Sequence, residues 1–71
     1  MANMREVNKA IKVNWPNLDI QVVRGDGYVY YDGVDGFDKI ESLMVNPVSC
    51  KTNILTHLVF QDIEHHLEES I

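Results

Sequence analysis

The sequence lacks several features that a secreted or membrane protein of its size needs. It has one cysteine, Cys50, among 71 residues, and a single thiol cannot form the internal disulfides on which small secreted domains depend. No apolar run approaches the roughly 18 residues that span a bilayer. Residues 1–12 are interrupted by charges and contain no signal-peptide core. These absences predict a protein of the reducing cytoplasm with no membrane segment.

The sequence also lacks the patterns that mark common catalytic sites. It contains no glycine-rich phosphate loop, nucleophile elbow or paired-carboxylate framework. Nothing in the sequence places a base beside Cys50. His57 and His65 are separated by about 12 Å along a helix, which is too far for one metal ion to bridge. We therefore expect a protein that is not an enzyme and that holds no cofactor or metal.

Charge is distributed unevenly along the chain. The net charge is −5. Residues 1–25 carry four basic and two acidic side chains, whereas residues 26–71 carry two basic and nine acidic ones. The acidic part disfavours nucleic acid as the main partner, because phosphate binding depends on Lys and Arg displacing counterions. It suits a basic protein surface instead.

The first predicted element is a short amphipathic helix. Met4, Val7 and Ile11 fall at helical spacing. Asn3 is placed to cap the helix start. Pro16 disfavours helical backbone at the residue before it, so the helix is expected to end near there.

A β-hairpin is expected to follow. Residues 18–22 alternate apolar and polar, which is typical of a half-buried strand, and residues 28–31 read Tyr-Val-Tyr-Tyr, a second strand. Asp26-Gly27 between them predicts a tight type I′ turn, which needs positive φ at its two central residues. Residues 40–45 are a candidate third strand.

The last predicted element is a longer amphipathic helix, for which Ser49 or Thr52 is the expected cap. Together these elements predict one small α+β domain over residues 1–71. It would have a small antiparallel sheet of two to three strands flanked by an N-terminal and a longer C-terminal helix, in the order α-β-β-(β)-α. Homodimerisation through a free strand edge remains an open expectation, because so small a core is only marginally stable.

Aromatic and acidic residues after the turn form the candidate protein-binding surface. Tyr30, Tyr31 and Phe37 are expected to serve as anchors wherever they are exposed, because aromatic side chains dominate interface energetics. Tyr28 is expected in the core. The acids of residues 26–41 and 62–69 would face a basic partner. The candidate protein-binding residues are Tyr30, Tyr31, Asp32, Asp35, Phe37, Asp38, Glu64 and Glu68.

Residues 24–31, Arg-Gly-Asp-Gly-Tyr-Val-Tyr-Tyr, resemble the RNP1 octamer of RNA-recognition-motif domains. That resemblance implies binding of single-stranded RNA or DNA by Arg24, Tyr28 and Tyr30, with bases stacked on the tyrosine rings. Asp26 departs from the octamer by placing an anion where an aromatic belongs, and no earlier strand bears the partner motif. Nucleic-acid binding is thus the alternative hypothesis, which requires both tyrosines to point outward beside a positive patch.

Along the chain, a short helix is followed by Val-Arg-Gly-Asp-Gly-Tyr-Val-Tyr-Tyr at residues 23–31, then by a variable loop and a final amphipathic helix. This order of elements resembles that of a loose group of small uncharacterised proteins. They are encoded by bacteriophages and other bacterial mobile elements. The likeness covers most of the chain, and the hairpin is its distinct signature. It implies an accessory role inside a bacterial host cell, such as occupying the surface of a host factor and inhibiting it.

Overall fold

The computed structural model describes residues 1–34 and 36–69. Its elements, in chain order, are α1 (Met4–Asn14), β1 (Ile20–Arg24), β2 (Val29–Gly33), a 3₁₀ turn (Phe37–Lys39) and α2 (Thr52–Glu69). The two strands form an antiparallel sheet. The predicted α+β fold, with the order α-β-β-α, is confirmed.

The first helix begins and ends where its sequence predicts. The side chain of Asn3 accepts hydrogen bonds from the backbone N–H groups of Arg5 and Glu6, at 3.1 and 3.3 Å. These bonds satisfy donors that have no partner within the helix. The helix ends at Asn14, two residues before Pro16.

The start of α2 differs from the prediction. The N–H of Leu55 donates to the carbonyl of Lys51, so Lys51 holds the cap position and Thr52 is already helical. The Thr52 hydroxyl accepts the N–H of Asn3 at 3.0 Å, while the Ser49 hydroxyl donates to a loop carbonyl. Neither residue caps the helix, and Thr52 instead joins the starts of the two helices.

The hairpin turns at Asp26-Gly27, as predicted. The N–H of Gly25 donates to the carbonyl of Tyr28 at 2.9 Å, and Gly27 has φ +81°, in the left-handed region that favours glycine. Val22 lies opposite Tyr31 across the two strands. β1 lies two residues further towards the C-terminus than the predicted strand of residues 18–22, and β2 begins one residue and ends two residues later than the predicted 28–31.

Both edges of the sheet are partly closed by other segments. On the edge of β2, Val29 and Leu43 exchange two backbone hydrogen bonds, at 3.0 and 2.8 Å. This isolated bridge is all that forms of the candidate third strand among the described residues. On the edge of β1, the side-chain amide of Asn8 bonds both the N–H and the C=O of Val22, at 2.8 and 3.0 Å.

The hydrophobic core lies between one face of the hairpin and the two helices. Phe37 joins it because the 3₁₀ turn folds back against α2, where its ring lies 5.1 Å from that of His66. No helix in the described part of the chain is long and apolar enough to cross a membrane. The main core residues are Val7 and Ile11 of α1, Ile20, Val22, Val29 and Tyr31 of the hairpin, and Leu55, Val59 and Ile63 of α2.

Candidate functional site

The outer face of the hairpin, turned away from the helices, carries exposed aromatic side chains. Successive strand residues point to opposite faces. Val29 and Tyr31 of β2 are therefore buried against the helices, whereas Tyr30 is 39% exposed on the other side. We call this outer surface the tyrosine face. Its three cross-strand pairs are Gly25 with Tyr28, Val23 with Tyr30, and Gln21 with Asp32.

The first of these pairs fixes the position of one aromatic ring. A β-carbon built on Gly25 would lie 2.5 Å from Cζ of Tyr28 and 2.7 Å from both neighbouring ring carbons. The ring of Tyr28 therefore lies directly over the glycine, in space that any other side chain would fill. An aromatic ring that covers a cross-strand glycine is a recognised device of β-sheets. It holds Tyr28 half-buried on the surface of the hairpin.

The two tyrosines stand side by side on this face. The ring centroids of Tyr28 and Tyr30 are 6.1 Å apart, with the ring planes inclined by 40°. Next along the strand, Asp32 accepts a hydrogen bond from Nε2 of Gln21 at 3.2 Å. The described residues of the tyrosine face thus combine two aromatic rings with one carboxylate, the single charged group among its three cross-strand pairs.

The basic residue nearest in sequence does not share this face. Arg24 lies opposite Val29 at the end of the strands, so its side chain leaves on the side of the helices. Its Nη1 lies 3.0 Å from Sδ of Met1. The remaining basic residues of the first 25 are on α1, which buries its apolar stripe against the inner side of the hairpin.

Two of the predicted anchors are not available at the surface. Tyr31 is 4% exposed and Phe37 is 3% exposed, and both belong to the core. The Tyr31 hydroxyl donates to the carboxylate of Asp62 at 2.7 Å. Burial, and then the hydrogen bond to Asp62 and its negative charge, raise the pKa of Tyr31 well above its usual range. Conversely, Tyr28, expected in the core, lies on the tyrosine face.

The predicted acidic residues fall on three separate parts of the molecule. Asp32 lies beside Tyr30 on the tyrosine face, and Asp38 is exposed on the 3₁₀ turn. Glu64 and Glu68 are exposed on α2, on the helix side of the sheet. Asp35 lies outside the described residues. Of the eight predicted protein-binding residues, the structure therefore brings Tyr30 and Asp32 together on one surface.

The nucleic-acid hypothesis required two conditions, and the structure meets one of them. Tyr28 and Tyr30 do point outward, as base stacking requires. The positive patch is absent from the described tyrosine face, because Arg24 points towards the helices and Asp32 supplies a negative charge.

A concave surface separate from the tyrosine face lies between residues 39–43 and the last turns of α2. It is a cleft of about 480 Å³. Among its polar groups, Asp62 accepts the Tyr31 hydroxyl, and Nε2 of His65 lies 3.0 Å from a carboxylate oxygen of Glu69. Within residues 1–34 and 36–69, no three His, Cys, Asp or Glu side chains converge as metal ligands do. The cleft is lined by Lys39, Ile40, Glu41, Ser42, Leu43, Asp62, His65, His66 and Glu69.

Gly25 was not identified from the sequence as the residue that the Tyr28 ring covers, although the position of the turn implies it. A two-residue turn at Asp26-Gly27 places residue 25 opposite residue 28 and residue 22 opposite residue 31. Since Val22 belongs to the buried alternation of the first strand, Tyr31 had to follow it inward. Tyr28 then had to cover Gly25 on the outer side.

No protein-family model, curated protein or solved structure matches this chain. Its function is therefore inferred from the geometry, charge and exposure of its own surfaces.

Proposed function

We propose that this chain is a non-catalytic protein-interaction module whose tyrosine face binds a basic surface of another protein. One observation carries the proposal: Tyr28 and Tyr30 project from a hydrogen-bonded hairpin on the side that the helices leave uncovered, with Asp32 beside them. Aromatic side chains are the commonest anchors of protein interfaces. The net charge of −5 favours attraction to a basic partner.

The resemblance to phage and mobile-element proteins supplies the biological setting of this proposal. Such a module would act in the cytoplasm of a bacterial host cell as an accessory protein. Occupying a basic surface of a host factor, and so inhibiting it, is the form of action that a small acidic binding module suits best.

The state of the reactive side chains supports a binding role over a catalytic one. Cys50 is buried, and its Sγ lies 3.5 Å from the carbonyl of Lys51. Asp62 holds the phenol of Tyr31, and His65 is paired with Glu69. Cys50 and Tyr31 are thus held in the fold, whereas the tyrosine face carries aromatic side chains that are open to a partner.

Affinity capture from bacterial lysate with matched variants tests the proposal. The wild-type chain is compared with a Tyr30→Ser/Asp32→Asn variant, which alters the tyrosine face, and with a Glu64→Gln/Glu68→Gln variant, which alters the acidic surface of α2. The wild type and the α2 variant are expected to retain a stoichiometric basic protein. The face variant is expected to lose it, because removing a central aromatic anchor typically costs about 2 kcal/mol or more of binding free energy.

Circular dichroism must show that all three chains are equally folded at the temperature of the capture. Equal retention by the face variant would show that the tyrosine face is not the binding surface. If only the α2 variant loses the partner, the binding surface includes Glu64 and Glu68 and not the tyrosine face. Recovery of no stoichiometric protein, at low or high salt, would contradict the interaction function itself.

Single-stranded nucleic acid remains a second candidate because the two tyrosine rings do point outward and lie close together. Gel-shift titrations with oligo(dT) and oligo(U) over a series of salt concentrations test it. True phosphate binding weakens steeply as salt rises, and a Tyr28→Leu/Tyr30→Leu variant should then lose it. Absence of a shift at low salt would remove this candidate.

A further inference from the structure

The chemistry of the tyrosine face defines the group that it recognises, and this inference rests on the protein-interaction function proposed above. We propose that the face binds an arginine side chain, presented by the partner protein, which stacks on Tyr30 and pairs with Asp32. The proposal follows from three features of the described residues: the paired tyrosine rings, the oriented carboxylate and the sign of the local charge.

One ring of the aromatic pair, that of Tyr28, is held in place before any ligand arrives. Tyr28 lies over Gly25, where a β-carbon would come within 2.7 Å of three ring carbons. Tyr30 stands 6.1 Å from it, centroid to centroid, and its ring is partly open to solvent. A cation above a tyrosine ring is attracted by the negative face of the ring. Rings that are already ordered lose less conformational entropy when the ligand binds.

The carboxylate is oriented by its cross-strand neighbour. Gln21 donates from Nε2 to one carboxylate oxygen of Asp32 at 3.2 Å, and the other oxygen has no hydrogen-bond partner among residues 1–34 and 36–69, so it is available to a ligand. Residues two apart on one strand face are about 7 Å from each other. An arginine side chain lying over Tyr30 therefore has the reach to donate to Asp32.

Arginine fits this arrangement better than the other candidate occupants. Its guanidinium is planar, stacks on aromatic rings and offers several donors to a carboxylate, whereas the lysine ammonium is a compact, strongly hydrated charge. A phosphate group would be repelled by Asp32. The charge and the aromatic pair are thus complementary to an arginine of a partner protein.

Nuclear magnetic resonance titration of the full chain with three peptides tests the inference. The probes are acetyl-Gly-Ser-Arg-Ser-Gly-amide and the same peptide with lysine or citrulline at its centre. Citrulline keeps the shape of arginine but carries no charge. We expect the arginine peptide to shift the amide signals of Tyr28, Tyr30 and Asp32. The lysine peptide should bind about threefold more weakly, and the citrulline peptide more weakly still.

Three variants separate the parts of the site. Asp32→Asn removes the charge at constant shape, and Gly25→Ala displaces the Tyr28 ring at constant charge. Each is expected to weaken the arginine peptide about threefold to tenfold. Glu64→Gln removes an equal charge from α2 and should leave the affinity unchanged. Circular dichroism identifies any variant that fails to fold. If Gly25→Ala does not fold, Asp32→Asn decides the outcome, because Asp32 is exposed and its substitution should leave the fold intact.

Several results would overturn the inference. The first is equal binding of the arginine and citrulline peptides, and the second is an unchanged affinity in Asp32→Asn. Saturable shifts on the tyrosine face with oligo(dT) would point to nucleic acid instead. Shifts that depend on protein concentration alone would mean that a second copy of the chain occupies the face. The proposed function fails separately. If lysate capture depends on the tyrosine face but the arginine peptide does not bind, this inference falls and the interaction function stands. If the peptide binds but no stoichiometric protein is captured, the interaction function falls, and with it the partner protein as the source of the arginine; only the affinity of the tyrosine face for an arginine side chain then stands.

Discussion

The two faces of the hairpin use the same residue type in opposite ways. Tyr30 and Tyr31 are adjacent in the chain, yet one is 39% exposed on the tyrosine face and the other is 4% exposed in the core. Tyr31 needs a buried polar partner for its hydroxyl and finds it in Asp62 at 2.7 Å. Tyr30 packs beside Tyr28 and keeps part of its ring in solvent.

This difference shows how a very small domain divides its aromatic residues between stability and recognition. In the described hairpin, the inner face is apolar apart from Arg24 at its end and the phenol of Tyr31. That phenol is matched by a carboxylate, because a buried polar group without a partner is costly. The outer face is not covered by the helices, so its rings remain available to another molecule. Substitutions on the inner face should therefore change the free energy of unfolding, and substitutions on the outer face should change binding.

The largest expected effect on the free energy of unfolding comes from substituting two residues that are adjacent in β1 but point to opposite faces. Ile20 is buried on the inner side, and the next residue, Gln21, is exposed on the tyrosine face. Ile20→Ala should lower the free energy of unfolding by about 2–4 kcal/mol, through lost burial and a residual cavity. Gln21→Ala should change it by less than about 0.5 kcal/mol. Urea denaturation followed by circular dichroism measures both, and equal losses would mean that the two faces are not distinct.

A smaller loss is expected at the sheet edge, where the two faces meet. Asn8→Ala removes the amide that bonds both backbone groups of Val22. Leaving these partly buried groups without a partner should cost about 1–2 kcal/mol. Asn53→Ala, at an exposed position of α2, is the matched control. Light scattering on the same samples shows whether the opened edge pairs with a second copy. An unfolding free energy identical to the control would rule out an edge role for Asn8.

The two adjacent tyrosines allow the most direct comparison. Tyr31→Phe removes the hydroxyl that donates to Asp62 and should lower the free energy of unfolding by about 1 kcal/mol. Tyr30→Phe, on the open face, should leave it within about 0.5 kcal/mol of the wild type. Thermal unfolding measures both variants, and a loss in Tyr30→Phe as large as that in Tyr31→Phe would contradict the assignment of their faces.

The smallest effect is a loss of stability at alkaline pH that comes from the inner tyrosine, Tyr31. The folded-state pKa of Tyr31 is raised above its unfolded value of about 10, so above that pH the unfolded chain loses a proton that the folded chain keeps. The contribution of Tyr31 is complete below pH 10 and declines above it, by about 0.8 kcal/mol at roughly pH 10.5. Urea denaturation of the wild type and of Tyr31→Phe measures this, because the difference between them should shrink as pH rises. A constant difference would contradict it.

Much of the fold was predictable because local signals agree with the tertiary arrangement. Asn3 caps α1, Pro16 follows its end, and Asp26-Gly27 forms the turn. The sequence predictions were wrong where a side chain bonds a residue far away in the chain instead of its own neighbours. Thr52 has the side chain of a cap, but its hydroxyl accepts the N–H of Asn3, a residue 49 positions away.

The candidate site was predictable in part. Tyr30 and Asp32 were identified from residue type and charge, and they do share a surface. Phe37 was not predictable as a core residue, because its burial depends on the 3₁₀ turn folding onto α2. The role of Gly25 needed the strand register, which the turn residues imply but which composition and charge do not reveal.

The sequence by itself determined the local structure: two amphipathic helices, a tight glycine turn and the alternation that gives each strand two faces. Those properties depend on backbone preferences and on residues a few positions apart. Only the tertiary structure decided which face of the hairpin is covered and which acid the buried Tyr31 meets. It also decided that Arg24 turns away from the two outward tyrosines. These outcomes depend on contacts between residues far apart in the chain, and it is these contacts that leave an aromatic and acidic face open for a partner.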